Sequence, residues 1–156
     1  MDKSSQITGL VISIIICLGV GFIAGRFQPG EWYQSLAKPA WTPPGWVFPV
    51  VWTLLYIMMG IAAWLIWKQN GFAAVSLPLS IFILQLVFNG LWTVFFFGLK
   101  MPGLALVDIA LLWTAILFTI ILFWSKQSLA GVLLLPYFVW VSFASALNYS
   151  IWNMNR

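Results

Sequence analysis

Five apolar runs, each about as long as a bilayer is thick, set the limits on what this chain can become. They cover residues 7–25, 46–67, 77–97, 103–124 and 129–152. A hydrocarbon core of about 30 Å takes about 20 residues of helix to cross. Lipid offers no partner to a backbone N–H or C=O, and within one segment only a helix pairs them all. The chain is therefore predicted to be an all-α membrane protein. Its fold would be a single domain over residues 1–156, a five-transmembrane-helix bundle with a long loop between helices 1 and 2. Composition leaves little room for another class. Charged residues make up 6% of the chain, against about 25% in soluble domains. The net charge of +4 is modest and dispersed, which suits interfacial anchoring and gives no nucleic-acid footprint.

The breaks between runs carry turn chemistry. Gln69-Asn70-Gly71, Lys100-Met101-Pro102-Gly103 and Ser125-Lys126-Gln127-Ser128 read as turns. Pro78 falls near the first turn of the third helix, where a missing N–H costs little. The first run is longer than a leader's apolar region and no A-x-A pattern follows it, so it reads as a helix. Five helices without an internal repeat weigh against an inverted-repeat transporter. Lys3, Lys68 and Lys126 lie on one side, and Arg26, Lys38, Lys100 and Arg156 on the other. That excess favours a cytoplasmic C-terminus. Cys17 is the only cysteine and reads as a small hydrophobe.

Aromatic and polar residues are placed unevenly. Phe48, Trp52 and Tyr56 recur every four residues and share one helix face. Gln85, Asn89, Trp92 and Phe96 form one face of the third helix; Tyr137, Trp140, Ala144 and Asn148 do the same in the fifth. At 1.5 Å per residue, Trp52, Asn89, Trp92, Asp108, Asn148 and Tyr149 all sit within about 15 Å of the side that carries the long loop. The other half is nearly all aliphatic. Two readings follow. Asn, Gln and Asp can hold helices together by hydrogen bonds, with Asp108 paired to Arg26 or Lys100. Alternatively the groups line a cavity and orient a mostly apolar guest. The loop over residues 26–45 favours the second. It is long and holds Pro29, Pro39, Pro43 and Pro44, as a lid would. Trp32, Trp41, Trp46, Trp64, Trp67, Trp124 and Trp152 read as interfacial belts, and Trp113, with no polar companion nearby, as lipid-facing.

Three motifs carry a resemblance. They are Trp41-x-Pro43-Pro44-x-x-x-Phe48-x-x-x-Trp52-x-x-x-Tyr56, Gln85-Leu86-x-x-Asn89-x-x-Trp92-x-x-x-Phe96-Phe97, and Pro136-Tyr137-x-x-Trp140-x-x-x-Ala144-x-x-Leu147-Asn148-Tyr149. In order and on the expected helices, they resemble the TspO/MBR family of tryptophan-rich sensory and translocator proteins, the peripheral-type benzodiazepine receptors. The resemblance implies a bundle that is commonly a homodimer. Its implied ligands are protoporphyrin IX-like tetrapyrroles, sterols, and benzodiazepine or isoquinoline drugs. Carried over by motif, the ligand-binding positions are Trp52, Tyr56, Asn89, Trp92, Phe97, Trp140, Ala144 and Asn148. The lid positions are Trp32, Trp41, Pro43 and Pro44. One departure concerns sterols: six residues separate Tyr149 from Arg156, one too many for the L/V-x(1–5)-Y-x(1–5)-K/R pattern. A bacterial cell membrane suits that departure.

The expected role is a receptor for porphyrins acting in tetrapyrrole sensing or homeostasis. The alternatives are light-dependent porphyrin degradation through Trp52 and Trp140, and tetrapyrrole or sterol transport, against which a one-sided cavity counts. No cofactor or metal is expected. The chain has no histidine, so acid–base catalysis and haem-iron ligation find little support.

Overall fold

The computed structural model describes residues 2–156. It forms α1 (Lys3–Ala24), a short α2 (Glu31–Ser35), α3 (Val47–Ala74), α4 (Ser76–Thr93) with a π-helical turn at Val94–Gly98, α5 (Pro102–Lys126) and α6 (Ser128–Met154). There is no strand among the described residues. All but α2 are long and apolar enough to cross a membrane, as the five runs predict.

The differences at the ends have local causes. α1 begins four residues before the expected start because Asp2 caps it, its Oδ1 accepting from the Ser5 N–H at 3.0 Å. The same bonds from Ser5 hold the Asp2 carboxyl below its ordinary range. α3 runs unbroken past Trp67 to Asn70, whose Nδ2 donates to the Ile66 carbonyl at 2.9 Å, and reaches Ala74 only beyond a break at Gly71. Gly71 then takes φ 72° and ψ 157°, a conformation a side chain would strain, and the chain turns there. The third span leaves α-helical geometry after Thr93. Its last turn is a π-turn closed by Leu99 N–H to Val94 O at 2.7 Å. Pro102 opens α5 at the position where its missing N–H matters least.

Packing is uneven around the bundle. α5 lies between α4 and α6, α3 packs on α6, and α1 leans chiefly on α3. Met59, Ala62, Ile66, Leu112, Ile116, Phe123, Leu134 and Val141 form the buried centre, and Cys17 joins it. α1 and α3 touch backbone to backbone at Gly60: a Cβ there would stand 2.6 Å from Ile14 Cα. Trp64 and Trp67, expected as interfacial belt residues, also tie α3 to α1. Their indoles donate to Gln6 O at 3.0 Å and Ser13 Oγ at 3.3 Å. Trp113 departs from the lipid-facing expectation. It is half-buried, its Nε1 donates to Ser142 Oγ at 2.8 Å, and its ring tilts onto Phe138. A partner on another helix supplied the polar companion that no neighbour in sequence could.

The long connection between α1 and α3 is more ordered than a bare lid. Its α2 docks Trp32 and Tyr33 edge-on against Phe96, and Tyr33 also against Phe97. Asn155 then clasps the loop from the far end of the chain. Its Oδ1 accepts from Ala37 N–H at 2.9 Å and its Nδ2 donates to Ala37 O at 2.8 Å.

Candidate functional site

A cavity of about 740 Å³ opens beneath this loop, walled by α1, the loop, α3, α4 with its π-turn, and α6. It occupies the half of the bundle in which the polar and aromatic residues were expected to converge. Trp52, Tyr56, Asn89, Trp92, Phe97, Trp140, Ala144 and Asn148 all line it. The lid residues divide. Pro43 lines the cavity; Trp32, Trp41 and Pro44 do not. Trp32 faces Phe96, and Trp41 is exposed with its ring edge-on to Phe143.

The aromatic lining is a connected set. Trp52 stacks on Tyr56 with centroids 5.7 Å apart and meets Tyr137 edge-on at 6.2 Å. Trp52 and Trp140 touch at 6.5 Å with an interplanar angle of 87°. They form one corner of the cavity rather than two opposed walls. Phe48 and Phe143 back Trp140 from either side. The α1 wall comes close because Gly21 has no side chain: a Cβ there would stand 2.5 Å from the Tyr56 ring. Gly21 thus serves packing inside the chain.

Polar groups below the rings bind mainly one another. Tyr56 OH donates to Asn89 Oδ1, Asn89 Nδ2 to Tyr137 OH at 2.9 Å, and Tyr137 OH to Gln85 Oε1 at 2.6 Å. Gln85 ends this chain on Met59 Sδ and does not reach the cavity, so its role is to hold α3, α4 and α6 in register. Asn148 accepts from Trp92 Nε1 at 2.9 Å and donates to Pro102 O at 2.9 Å. Asn89 and Asn148 therefore act both as lining and as interhelical ties, and the two readings of the sequence describe the same atoms.

Asp108 departs from expectation. It is buried on α5 and does not line the cavity. Its Oδ2 has no hydrogen-bond partner, so neither Arg26 nor Lys100 binds that oxygen. Arg26 instead lies 5.7 Å over the Phe22 ring. Trp140 Nε1 is likewise buried and unpartnered.

Some lining residues escaped the sequence reading. Phe27, Tyr33, Lys38 and Ile151 all border the cavity. Phe96 lies on the face that the sequence assigned to Asn89 and Trp92, and the π-turn carries it with Phe97 to the cavity wall. Tyr33 and Lys38 are brought in by α2, whose docking has no periodic signal in so short a segment. Burial raises the Tyr33 phenol above its ordinary range, so it is neutral at the cavity mouth.

A second cavity, of about 540 Å³, lies in the opposite half, between α1, α3 and α4. Ser4, Thr8, Ser13, Cys17, Trp67 and Phe82 border it. This corrects the expectation that this half is nearly all aliphatic. α1 borders both spaces, the second ending at Cys17 and the larger beginning at Leu18.

The sequence matches the TspO/MBR family over residues 13–153. It is 43% identical to the tryptophan-rich protein TspO of Chlorobaculum tepidum, over 97% of this chain and 99% of that one. It is 39% identical to protein CrtK of Rhodobacter capsulatus, over 96% and 94%. It is 40% identical to the human translocator protein, over 86% and 83%. Five spanning helices and bacterial relatives along nearly the whole length agree with a multi-pass protein of a bacterial membrane. Matched from its first span to its last, this integral membrane protein belongs to the TspO/MBR family.

Proposed function

We propose that this chain, as one transmembrane domain, is a membrane receptor for flat, largely apolar ligands. Protoporphyrin IX-like tetrapyrroles come first, and benzodiazepine or isoquinoline drugs share the same space. The observation that carries the reading is the 740 Å³ cavity walled by Trp52, Trp92, Phe97 and Trp140. That volume falls in the range of about 300–1,000 Å³ typical of small-molecule sites. The rings offer faces and edges for a planar guest, and binding would report or buffer the tetrapyrrole. The homodimer implied by the family belongs to the same proposal. Titrating the purified protein with protoporphyrin IX in the dark, by absorbance and fluorescence, is expected to give saturable binding that an isoquinoline drug displaces. Linear partition indistinguishable from empty micelles would overturn it.

The Trp52–Trp140 contact supports a second reading, light-dependent porphyrin degradation in which the excited guest takes an electron from an indole, dioxygen adds to the reduced ring, and the oxygenated ring returns the electron to the indole radical. Under illumination this predicts a defined product that accumulates over repeated turnovers. The Trp52→Phe/Trp140→Phe double variant is expected to bind but convert poorly. Bleaching at the rate seen in empty micelles would leave the receptor reading alone. Transport, the third reading, predicts tetrapyrrole flux in proteoliposomes.

A further inference from the structure

Among the described residues Lys38 is the only charged residue lining the 740 Å³ cavity. It comes from the loop, just beyond α2. Its Nζ donates to Tyr33 O at 2.7 Å and Leu36 O at 3.1 Å, makes a longer contact with Gln34 O at 3.4 Å, and stands 4.7 Å from the Tyr33 ring centroid. Every one of these partners is uncharged. The ammonium is thus held in place with its positive charge uncompensated, beside walls that are mostly apolar. In such surroundings a charge is weakly screened and attracts an ion of opposite sign.

Most of the cavity's other polar side chains are committed to the protein; the unpartnered Trp140 Nε1 is a free donor, but a neutral one. Asn89 and Asn148 are bonded at both ends of their amides to the protein. Thr53 and Thr42 donate to the carbonyls of Pro49 and Pro39, each at 2.7 Å. Recognition of an anionic group therefore falls to the loop side, where the Gln34 contact is long enough to be exchanged for a carboxylate oxygen while the Tyr33 bond keeps the ammonium in position.

Resting on the reading of this cavity as a ligand site, we propose that Lys38 is the counter-ion that selects ligands bearing a carboxylate at one edge of a flat apolar ring system. The ring lies among Trp52, Trp92, Phe97 and Trp140, and the acid group points to the loop. Lys38 would then separate a tetrapyrrole acid from its neutral esters.

Protoporphyrin IX and its dimethyl ester share the ring and differ in the acid groups. Both are titrated by fluorescence against the wild type, Lys38→Met and Lys38→Arg in an uncharged detergent. The wild type is expected to favour the free acid. Lys38→Met should weaken the acid about tenfold and leave the ester within about twofold, because only the acid loses a charge-assisted bond. Lys38→Arg should keep most of the preference. Equal binding of acid and ester by the wild type overturns the proposal and leaves the receptor reading standing. Equal weakening of both by Lys38→Met also overturns it, and marks Lys38 as a staple of the loop alone. A wild type that binds neither compound removes the receptor reading, and this proposal falls with it.

Discussion

Trp140 is the residue on which the ligand reading leans hardest. It touches Trp52, Phe48 and Phe143, and its indole N–H is buried without a partner. Replacing it by Ala is expected to cost about 2 kcal/mol or more of porphyrin binding, as loss of a large aromatic anchor does. Unchanged affinity in a folded Trp140→Ala variant would remove Trp140 from the site. Trp140→Phe should keep much of the affinity, since it keeps an aromatic face. Gln85 makes the contrasting case. Its Oε1 accepts from Tyr137 in a fully buried chain of bonds. Gln85→Leu leaves a buried donor unpaired, so it is expected to destabilise the bundle by about 1–3 kcal/mol and to leave ligand affinity in the folded fraction nearly unchanged. Thermal unfolding and titration of the same preparation check both halves. The sequence made the aromatic positions legible because a stripe at helical spacing must face one way. Helical spacing alone put Gln85 and Asn89 on one face; the family motif singled out Asn89, and the crossing of α3, α4 and α6 is what leaves Gln85 short of the cavity.

At the scale of elements, α1 and α3 make the closest approach. Gly60→Ala is expected to destabilise by about 1–3 kcal/mol, the cost of overpacking, because the new methyl would meet the backbone of Ile14. Gly30→Ala, with nothing within 4 Å, is the control. Equal melting of the two variants would show that α1 slides freely on α3. The loop offers the second prediction. The lid proposal gives Pro43 and Pro44 the task of limiting the open ensemble, and Pro43 lines the cavity. Converting both to Gly should raise the ligand off-rate while the bundle stays helical. Hydrogen exchange over residues 26–45 is expected to slow on adding protoporphyrin IX; identical exchange would end the lid reading. Spans were legible because lipid allows a long apolar run only one backbone. α2 and the π-turn were not. Five residues cannot display a helical period, and no local signal marks the π-turn, whose Phe96 and Phe97 meet Tyr33 only in the folded chain.

For the molecule as a whole, two cavities lie along α1 in opposite halves, and the larger is covered by a loop tied to α6. The tie is Asn155, which bonds Ala37 through both ends of its amide. Asn155→Ala is expected to speed amide exchange around residues 36–38 and raise the ligand off-rate, by the loss of two bonds worth about 0.5–1.5 kcal/mol each. A cover as slow to exchange as before would show that α2 docking suffices. The pairing of residues 37 and 155 could not be read from sequence, since nothing in either segment names a partner 118 positions away. It also sets an order of events during biosynthesis. The first spans enter the bilayer while α6 is still unmade, so the wall holding Trp140, Ala144 and Asn148 is missing and the clasp has nothing to grip. The chamber is therefore completed only after α6 has been made, and a guest present in the membrane meets an unfinished, open vessel until residue 155 is in place.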